Sequence, residues 1–517
     1  MPESAPATDH AGRHALAWAG LALGAGAATW IWAFIHHTLL LYGDATAHLA
    51  IARRMVDSAT PGLSQWGTVW LPLPHLLMAP FVLVTAWWQS GLAGSLPSLA
   101  ALVVATWLLH RIVARQWGAV AAGWAAAFFC LNPSLLYLSV VPMTESIYLA
   151  AFLGVVERCV AYADEPRPAT AWQIGAWGLA ASLCRYDGWF LLPFALWVVA
   201  RYAADAQRAM AAGLRFCLVA GIGPVFWLIY NWWYFDDPLA FVRGPYSARQ
   251  IALRGGTYPG DHNLWLAALY FLKAVTLTCG VPLMLLATAG WLVWRGRGAG
   301  WLLLVPLPWY LWAMWSGNVP IFIPQYWPHG YYNLRYGVQL LPAVAAGSAM
   351  VAAALWRAAR RVILPRLSPR AAGAGVIAGL ALVCAAAYGS MLRAPGPPAY
   401  AEAAHNAPGR LAMEHALAGA LASWRPGQRI LMYYGSYPGA LADDAIPVSA
   451  VVQESNFLLW QDALYAPHRH ADWVVVEQRT LVAKWIGRRD LEQYFHPVAS
   501  LRVDDQPTIE VYRRNGK

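Results

Sequence analysis

Two acidic residues lie where long apolar stretches give way to short polar loops. Asp44 follows the first apolar run, in the segment Tyr-Gly-Asp-Ala-Thr-Ala-His that ends at His48. Asp44 and His48 are four residues apart, so they share one face if this segment is helical. A carboxylate just above a bilayer can act as a general base toward a hydroxyl or an amide. The alternative is that Asp44 only caps a helix, because Asp is a favoured N-cap residue.

Glu145 ends the segment Pro-Met-Thr-Glu and is the only acid between Asp57 and Glu157. An ionisable residue at the end of an apolar stretch is costly and usually has a role or a partner. Glu145 is therefore either a second carboxylate of an active site or an acceptor that caps the following helix.

Three further charged residues interrupt apolar sequence, at Arg185, Asp187 and Arg335. Arg185 and Asp187 either contribute to a binding site or pair with each other and brace neighbouring loops. Arg335 follows several aromatic residues, which suits a guanidinium that binds phosphate at a membrane interface. The alternative for Arg335 is anchoring in an aromatic belt, with the charged group extended toward water. Arg53 and Arg54 either bind lipid phosphate or lie at the level of the headgroups.

The composition excludes an ordinary soluble enzyme. The 517 residues are 59% hydrophobic and 12% charged, whereas soluble domains have roughly a quarter charged residues. The net charge of +10 lies in residues 1–392, because residues 393–517 contain 13 basic and 13 acidic residues. Membrane topology alone requires cytoplasmic Lys and Arg, so no nucleic-acid partner is predicted. The sequence contains no nucleotide P-loop, no HExxH motif and no GxSxG motif with triad partners.

Hydropathy predicts about eleven membrane spans, each of about 20 apolar residues. They lie near residues 15–41, 95–112, 117–138, 146–162, 172–184, 189–203, 214–233, 274–294, 300–315, 338–356 and 371–391. Residues 71–88 are apolar but contain three prolines, so we interpret them as one helix on the membrane surface. This assignment places 15 basic residues on one side and 8 on the other. The positive-inside rule then predicts a cytoplasmic N-terminus and an extracytoplasmic C-terminus.

The predicted domains are a transmembrane module over residues 1–392 and an extracytoplasmic α/β domain over residues 393–517. In the second, a helix is predicted over 409–424. β-branched and aromatic runs predict strands over residues 429–434, 471–477 and 508–513. The fold class is thus a polytopic α-helical membrane protein with a small C-terminal α/β domain.

Four short motifs, in this order, resemble the GT-C superfamily of membrane glycosyltransferases. Within it, the protein O-mannosyltransferase and aminoarabinose transferase group is the most similar. The motifs are Tyr-Gly-Asp44, Trp-Leu-Pro-Leu-Pro-His75, Pro-Met-Thr-Glu145 and Arg185-Tyr-Asp-Gly-Trp. The first loop has Gly-Asp where the mannosyltransferases have an Asp-Glu doublet.

This resemblance implies a bacterial inner-membrane enzyme with an active site that faces the periplasm. The enzyme would transfer a sugar, with inversion, from a polyprenyl-phosphate donor to a lipid, glycan or protein acceptor. Asp44 would be the general base, Glu145 would support it, and Arg335 would bind the donor phosphate. His48, His75, Arg185, Asp187, His329 and Tyr332 would contact substrate. The resemblance requires no cofactor, but some members use a divalent cation, and Mg²⁺ or Mn²⁺ held by Asp44 and Glu145 would fit this pattern.

Two other classes of function are compatible with the sequence. One is a transporter or flippase for lipid-linked intermediates, and the other is a non-catalytic subunit for envelope assembly. Transporters keep ionisable groups near the bilayer midplane, whereas the charges here map to loops and span ends. The two acids on the predicted outer face therefore favour the enzyme.

Overall fold

The computed structural model describes residues 7–244, 247–250, 256–294, 298–362 and 369–516. The chain is mostly helical and divides into two compact units. Unit 1 contains residues 1–33, 98–140 and 144–402, and unit 2 contains residues 34–97, 141–143 and 403–517. Arg295, Arg297 and Arg366, which we count on the cytoplasmic side, lie outside the described residues. The predicted domain division at residue 393 stays a prediction.

The main helices of unit 1 correspond to the apolar segments of the sequence. The helix Glu145–Asp164 is buried on nearly all sides, which its apolar sequence permits. Longer helices that lie wholly or mainly in this unit are Ala7–Ile35, Leu92–Trp117, Ala119–Cys130, Pro168–Cys184, Tyr186–Tyr202, Ala206–Ala220, Ile222–Phe235, Leu264–Cys279, Val281–Val293, Pro306–Trp315, Leu341–Val362 and Pro369–Tyr388. Shorter elements are the helices Pro133–Leu138 and Ala240–Arg243 and the 3₁₀ turns Gly300–Leu304, Leu334–Leu340 and Gly389–Leu392.

Several of these helices are long and apolar enough to cross a bilayer. Among the described residues, 5 meet this condition by length and composition, or 6 if one bent pair counts as a single span. The chain is therefore a multi-pass membrane protein.

The predicted span over residues 274–294 is not one continuous helix. The structure has two helices here, Leu264–Cys279 and Val281–Val293, which are bent by 114°. Gly280 lies between them with φ of 85°, and a Cβ atom at this position would lie 2.5 Å from the carbonyl oxygen of Ala387. Only glycine fits such a left-handed and crowded position, and Pro282 lies in the first turn of the second helix.

Unit 2 contains a five-stranded mixed sheet. The strands are β1 (Ile430–Leu431), β2 (Val451–Val452), β3 (Trp473–Glu477), β4 (Phe495–Leu501) and β5 (Ile509–Arg514), in the spatial order β2-β1-β3-β5-β4. β1 is parallel to β2 and to β3, whereas β5 is antiparallel to β3 and β4. A core that includes Trp460, Val474 and Phe495 packs beside the sheet. The predicted small C-terminal α/β fold is confirmed.

Helices of unit 2 come from both of its long segments. Residues 34–97 form the helices Gly43–Val56, Leu73–Val82 and Thr85–Ser90 and the 3₁₀ turn Leu63–Trp66. The C-terminal segment contributes the end of Pro398–Leu421, then Gly439–Asp443, Leu458–Tyr465, Pro467–His470, Leu481–Trp485 and Arg488–Tyr494, with 3₁₀ turns at Val448–Ala450 and Glu454–Asn456. The single surface helix predicted over residues 71–88 is wrong, since Leu83 and Val84 separate two helices.

Glu477, at the end of β3, has a pKa near neutrality. The pKa of its carboxyl is raised to about 7, chiefly by burial; a hydrogen bond with Ser436 lowers the pKa, and the charge of nearby Glu454 raises it. A carboxyl whose pKa is raised by folding contributes stability at pH values below its unfolded pKa of 4.5. That contribution is lost as the pH rises through the pKa of the folded state.

We therefore expect the contribution of Glu477 to the midpoint of thermal unfolding to fall as pH rises from about 5 to about 8. The variant Glu477→Gln should flatten this dependence, because Gln does not titrate. Thermal unfolding of both proteins at several pH values measures the difference. An identical pH dependence in wild type and variant would contradict the assignment to Glu477.

Candidate active site

Glu145 and Arg335, which are 190 positions apart in sequence, form a buried ion pair in unit 1. Arg335 Nε donates to Glu145 Oε1 at 3.2 Å, and Arg335 Nη1 donates to Glu402 Oε1 at 2.7 Å. The carboxylates are 1% exposed and the guanidinium is 7% exposed. The guanidinium thus lies between two carboxylates from distant parts of the chain.

Glu402 fixes the backbone that presents Arg335. Its carboxylate also accepts hydrogen bonds from the backbone N–H groups of Asn333 at 3.1 Å and Arg335 at 3.0 Å. Asn333 precedes the 3₁₀ turn Leu334–Leu340 in the left-handed conformation, which Asn tolerates better than most residues. Sequence reasoning missed Glu402, because it lies beyond the boundary we predict at residue 393.

Arg185 extends the same cluster. It separates the helices Pro168–Cys184 and Tyr186–Tyr202, and its Nη1 atom lies 3.7 Å from Glu145 Oε1. Arg185 also contacts Asp187 at 3.5 Å, and Tyr310 donates to the same Asp187 oxygen at 2.7 Å. The ring of Tyr336 lies 4.8 Å from the Arg185 guanidinium. Arg185 and Asp187 therefore contact each other and remain part of the cluster around Glu145.

We call Glu145, Arg185, Asp187, Arg335 and Glu402 the buried ionic cluster. Its three carboxylates and two guanidiniums give a formal charge of minus one. Glu145 Oε2 has no hydrogen-bond partner among the described residues. An unsatisfied buried oxygen is costly, so this atom is suited to accept a hydrogen bond from a bound substrate or to contact a cation.

His329 and Tyr332 lie near Arg335 in sequence but have exposed side chains. His329 Nδ1 is 3.2 Å from the carbonyl oxygen of Pro324. Tyr332 is 39% exposed and its ring contacts Phe322. Both residues therefore lie on the accessible part of the loop that ends at Arg335.

Asp44, His48 and His75 belong to unit 2. Asp44 lies half-buried in the first turn of the helix Gly43–Val56, hereafter the Asp44 helix. The interpretation of Asp44 as the N-cap is wrong, because the N-cap is Tyr42. Glu145 likewise lies inside its helix, where Thr144 is the N-cap. Neither carboxylate belongs to the N-cap residue of its helix.

A pair of buried histidines lies beside the Asp44 helix. His48 Nδ1 is 2.9 Å from His75 Nε2, and the ring of Trp70 packs on His48. Burial lowers the pKa of His75 well below its ordinary value, and the charges of His48 and Arg54 lower it further. His75 is therefore neutral at physiological pH and can accept or donate a hydrogen bond without charge.

Arg53 and Arg54, near the end of the Asp44 helix, both have partners within unit 2. Arg53 bonds the Asp57 carboxylate and the carbonyl oxygen of Val82, and it lies over the ring of Trp88. Arg54 is buried and donates to the carbonyl oxygen of Gln65. Both arginines therefore make structural contacts within unit 2.

No group of three or more His, Cys, Asp or Glu side chains is arranged to hold a metal ion among the described residues. Asp44 and Glu145 belong to different units. The divalent cation shared by these two residues therefore stays a prediction.

The overall fold of the chain is similar to that of solved membrane-protein structures. The structure of ArnT, an aminoarabinose transferase, from Cupriavidus metallidurans bound to undecaprenyl phosphate is similar, with a TM-score of 0.58 and 15% identity, over 96% of this chain and 98% of that chain. The apo structure of the same protein gives a TM-score of 0.54 and 16% identity, over 94% and 98% of the two chains. An oligosaccharyltransferase from Archaeoglobus fulgidus has a TM-score of 0.49 and 13% identity, over 93% of this chain and 73% of that chain. No protein-family model and no curated protein matches the sequence.

Proposed function

We propose that this protein is a membrane glycosyltransferase that uses a polyprenyl-phosphate sugar. It would transfer the sugar, with inversion, to a lipid, glycan or protein acceptor on the periplasmic side of a bacterial inner membrane. The proposal includes about eleven spans, a cytoplasmic N-terminus and an extracytoplasmic C-terminus. It retains a transmembrane module over residues 1–392 and an extracytoplasmic domain over residues 393–517.

One observation supports this function most directly. The chain matches an ArnT structure from end to end, over 96% of this chain and 98% of ArnT. That structure is of ArnT bound to undecaprenyl phosphate. A fold hosts many functions, so an enzyme of this kind also requires groups suited to the chemistry. Candidates for these groups are Asp44, Glu145, Arg185 and Arg335.

In the proposed reaction, the acceptor oxygen or nitrogen attacks the anomeric carbon of the sugar. The bond between this carbon and the phosphate oxygen breaks, and polyprenyl phosphate leaves with the bonding electron pair. Asp44 takes the proton of the acceptor, as a general base does. Direct displacement at one carbon inverts its configuration.

The buried ionic cluster would support the leaving phosphate and the sugar. Arg335 and Arg185 are its two cations, and positive groups stabilise the charge that develops on a leaving phosphate. Because two carboxylates contact Arg335, a phosphate at this guanidinium would share it or displace one of them. Glu145 Oε2 would accept a hydrogen bond from a sugar hydroxyl. His48, His75, Asp187, His329 and Tyr332 are proposed as further substrate contacts.

The proposal is tested by incubating membranes that contain the protein with a panel of radiolabelled polyprenyl-phosphate sugars. We expect label to move from lipid to water or to an added acceptor for one class of sugar. Membranes without the protein are the control. If no donor is consumed, native mass spectrometry tests whether any donor binds. Binding of a sugar donor would support the donor assignment, whereas a folded protein that binds none would contradict the proposal and favour transport or an assembly role.

A further inference from the structure

The Asp44 helix is held at its start by an arginine from the C-terminal segment of the same unit. Arg410 Nη2 donates to the carbonyl oxygens of Leu40 at 2.7 Å and Leu41 at 3.2 Å. These carbonyls lie immediately before the helix. Arg410 also packs against its first residue, since a Cβ atom on Gly43 would lie 3.6 Å from Arg410 Cδ.

Arg410 is itself fixed in place. Its Nη1 atom donates to Glu414 at 2.5 Å, one helical turn further along, and Glu414 also accepts from the backbone N–H of Gly439 at 3.1 Å. Burial raises the pKa of Glu414 above its ordinary value, while Arg410 and Gly439 lower it. The guanidinium therefore has a defined orientation before it contacts residues 40 and 41.

The end of the Asp44 helix is held by a second set of contacts with the C-terminal segment. The Asp57 carboxylate accepts hydrogen bonds from the backbone N–H groups of Val448 at 3.2 Å and Ser449 at 3.1 Å. It also pairs with Arg53 at 2.9 Å. Burial raises the pKa of Asp57, but the bonds to Ser449 and the charge of Arg53 outweigh it and lower the pKa overall. This group therefore stays ionised at physiological pH.

The loop that follows the helix is bound at the carboxyl ends of the parallel strands. Gln65 is fully buried and contacts Gln453 at 2.9 Å and the carbonyl oxygen of Ser455 at 2.9 Å. Asn456 donates to Ser58 at 3.2 Å and to Thr60 at 2.8 Å.

Gln453 directly follows β2, and Glu477 ends β3. Ligands of open α/β sheets usually bind outside the carboxyl ends of the parallel strands. Here the segment from Ser58 to Gln65 of the chain itself contacts this edge.

We propose that the C-terminal segment, residues 403–517, serves to position the Asp44 helix, with Arg410 as the main positioning residue. Two charged contacts fix the two ends of a single helix, and buried amides fix the loop after it. Hydrogen bonds with a charged partner are stronger than those between neutral groups, so the start of the helix, where Asp44 lies, loses freedom. A catalytic benefit from this positioning rests on the proposed function of Asp44, whereas the positioning of the helix itself does not depend on that function.

Hydrogen exchange of the full-length protein tests the positioning without any substrate. We expect Arg410→Ala to increase amide exchange over residues 40–50 on the order of tenfold, because charged hydrogen bonds are lost. Arg410→Lys should restore part of the protection. The matched control is Arg514→Ala, which removes an ion pair of 3.1 Å with Asp472 at the sheet and should leave residues 40–50 unchanged.

Turnover of the donor provides the second measurement. If Asp44 is the base, Arg410→Ala should lower kcat by about tenfold with little change in KM, because a misplaced base affects the reaction more than binding. Unchanged exchange over residues 40–50 in Arg410→Ala would overturn the inference, as would equal increases in Arg410→Ala and Arg514→Ala. If Arg410→Ala exchanges faster over residues 40–50 but the wild-type protein consumes no donor, the result supports the positioning and counts only against the proposed reaction.

Discussion

Replacing Asp44 by Asn is expected to lower the rate of sugar transfer by roughly 100-fold or more, because a general base contributes this much or more. Asn has nearly the same shape as Asp but cannot take the proton of the acceptor. The half-buried position in the first turn of its helix should accept the amide without loss of folding. Initial rates of label release at several donor concentrations measure kcat and KM, and the loss should appear in kcat.

Asp261→Asn is a matched control for this variant. Asp261 lies in another loop that we predict on the outer side, and its side chain is 41% exposed. The same chemical change there should leave the rate within about twofold, as surface substitutions usually do. If Asp44→Asn retains most of the wild-type rate while the donor is consumed, Asp44 is not the base.

The members of the buried ionic cluster differ in how far they could be predicted from the sequence. Glu145, Arg185, Asp187 and Arg335 stand out because each interrupts apolar sequence, and an ionisable group there needs a partner. Which groups pair depends on contacts between distant segments. Glu402 is 67 positions from Arg335 and lies beyond the predicted boundary at residue 393, outside the apolar spans in which an acid stands out.

The fold shows the same division between local and long-range information. Hydropathy locates the apolar helices, because burial in lipid or protein requires apolar residues. It does not locate the bend at Gly280, which depends on the close approach of Ala387. It also does not show that residues 34–97 and 403–517 form one unit, since polarity indicates contact with water but not which segments meet.

The sequence predicts only part of the sheet of unit 2, because some of its strands depend on contacts between distant segments. The strands β3 and β5 are runs of five and six residues rich in β-branched side chains, and both were predicted. β1 lies within the predicted strand 429–434, whereas β2 and β4 are absent from the prediction. β2 has two residues, and β4 has seven residues that are mostly exposed. Both strands form because of their neighbours in the sheet, which no local pattern records.

Arg335→Met is expected to destabilise the protein by about 3–5 kcal/mol, the usual effect of removing one partner of a buried ion pair. Glu145 and Glu402 would then lie close together without the guanidinium between them. Thermal or denaturant unfolding in detergent measures the loss. The matched control is Arg208→Met, because Arg208 is 75% exposed and its pair with Asp205 contributes little.

A double variant distinguishes a structural role of Arg335 from a role in binding the donor phosphate. Adding Glu402→Gln to Arg335→Met removes one of the two carboxylates that lose their contact with the Arg335 guanidinium, so part of the lost stability should return. The two backbone N–H groups of residues 333 and 335 bond separate oxygens of Glu402, so the single glutamine oxygen can keep one of these hydrogen bonds. If Arg335→Met instead keeps wild-type stability and only raises KM for the donor, the guanidinium acts chiefly on the donor phosphate. A loss of both stability and donor affinity would mean that Glu145 and Glu402 hold Arg335 in place for the phosphate, so that one ion pair serves the fold and the site together.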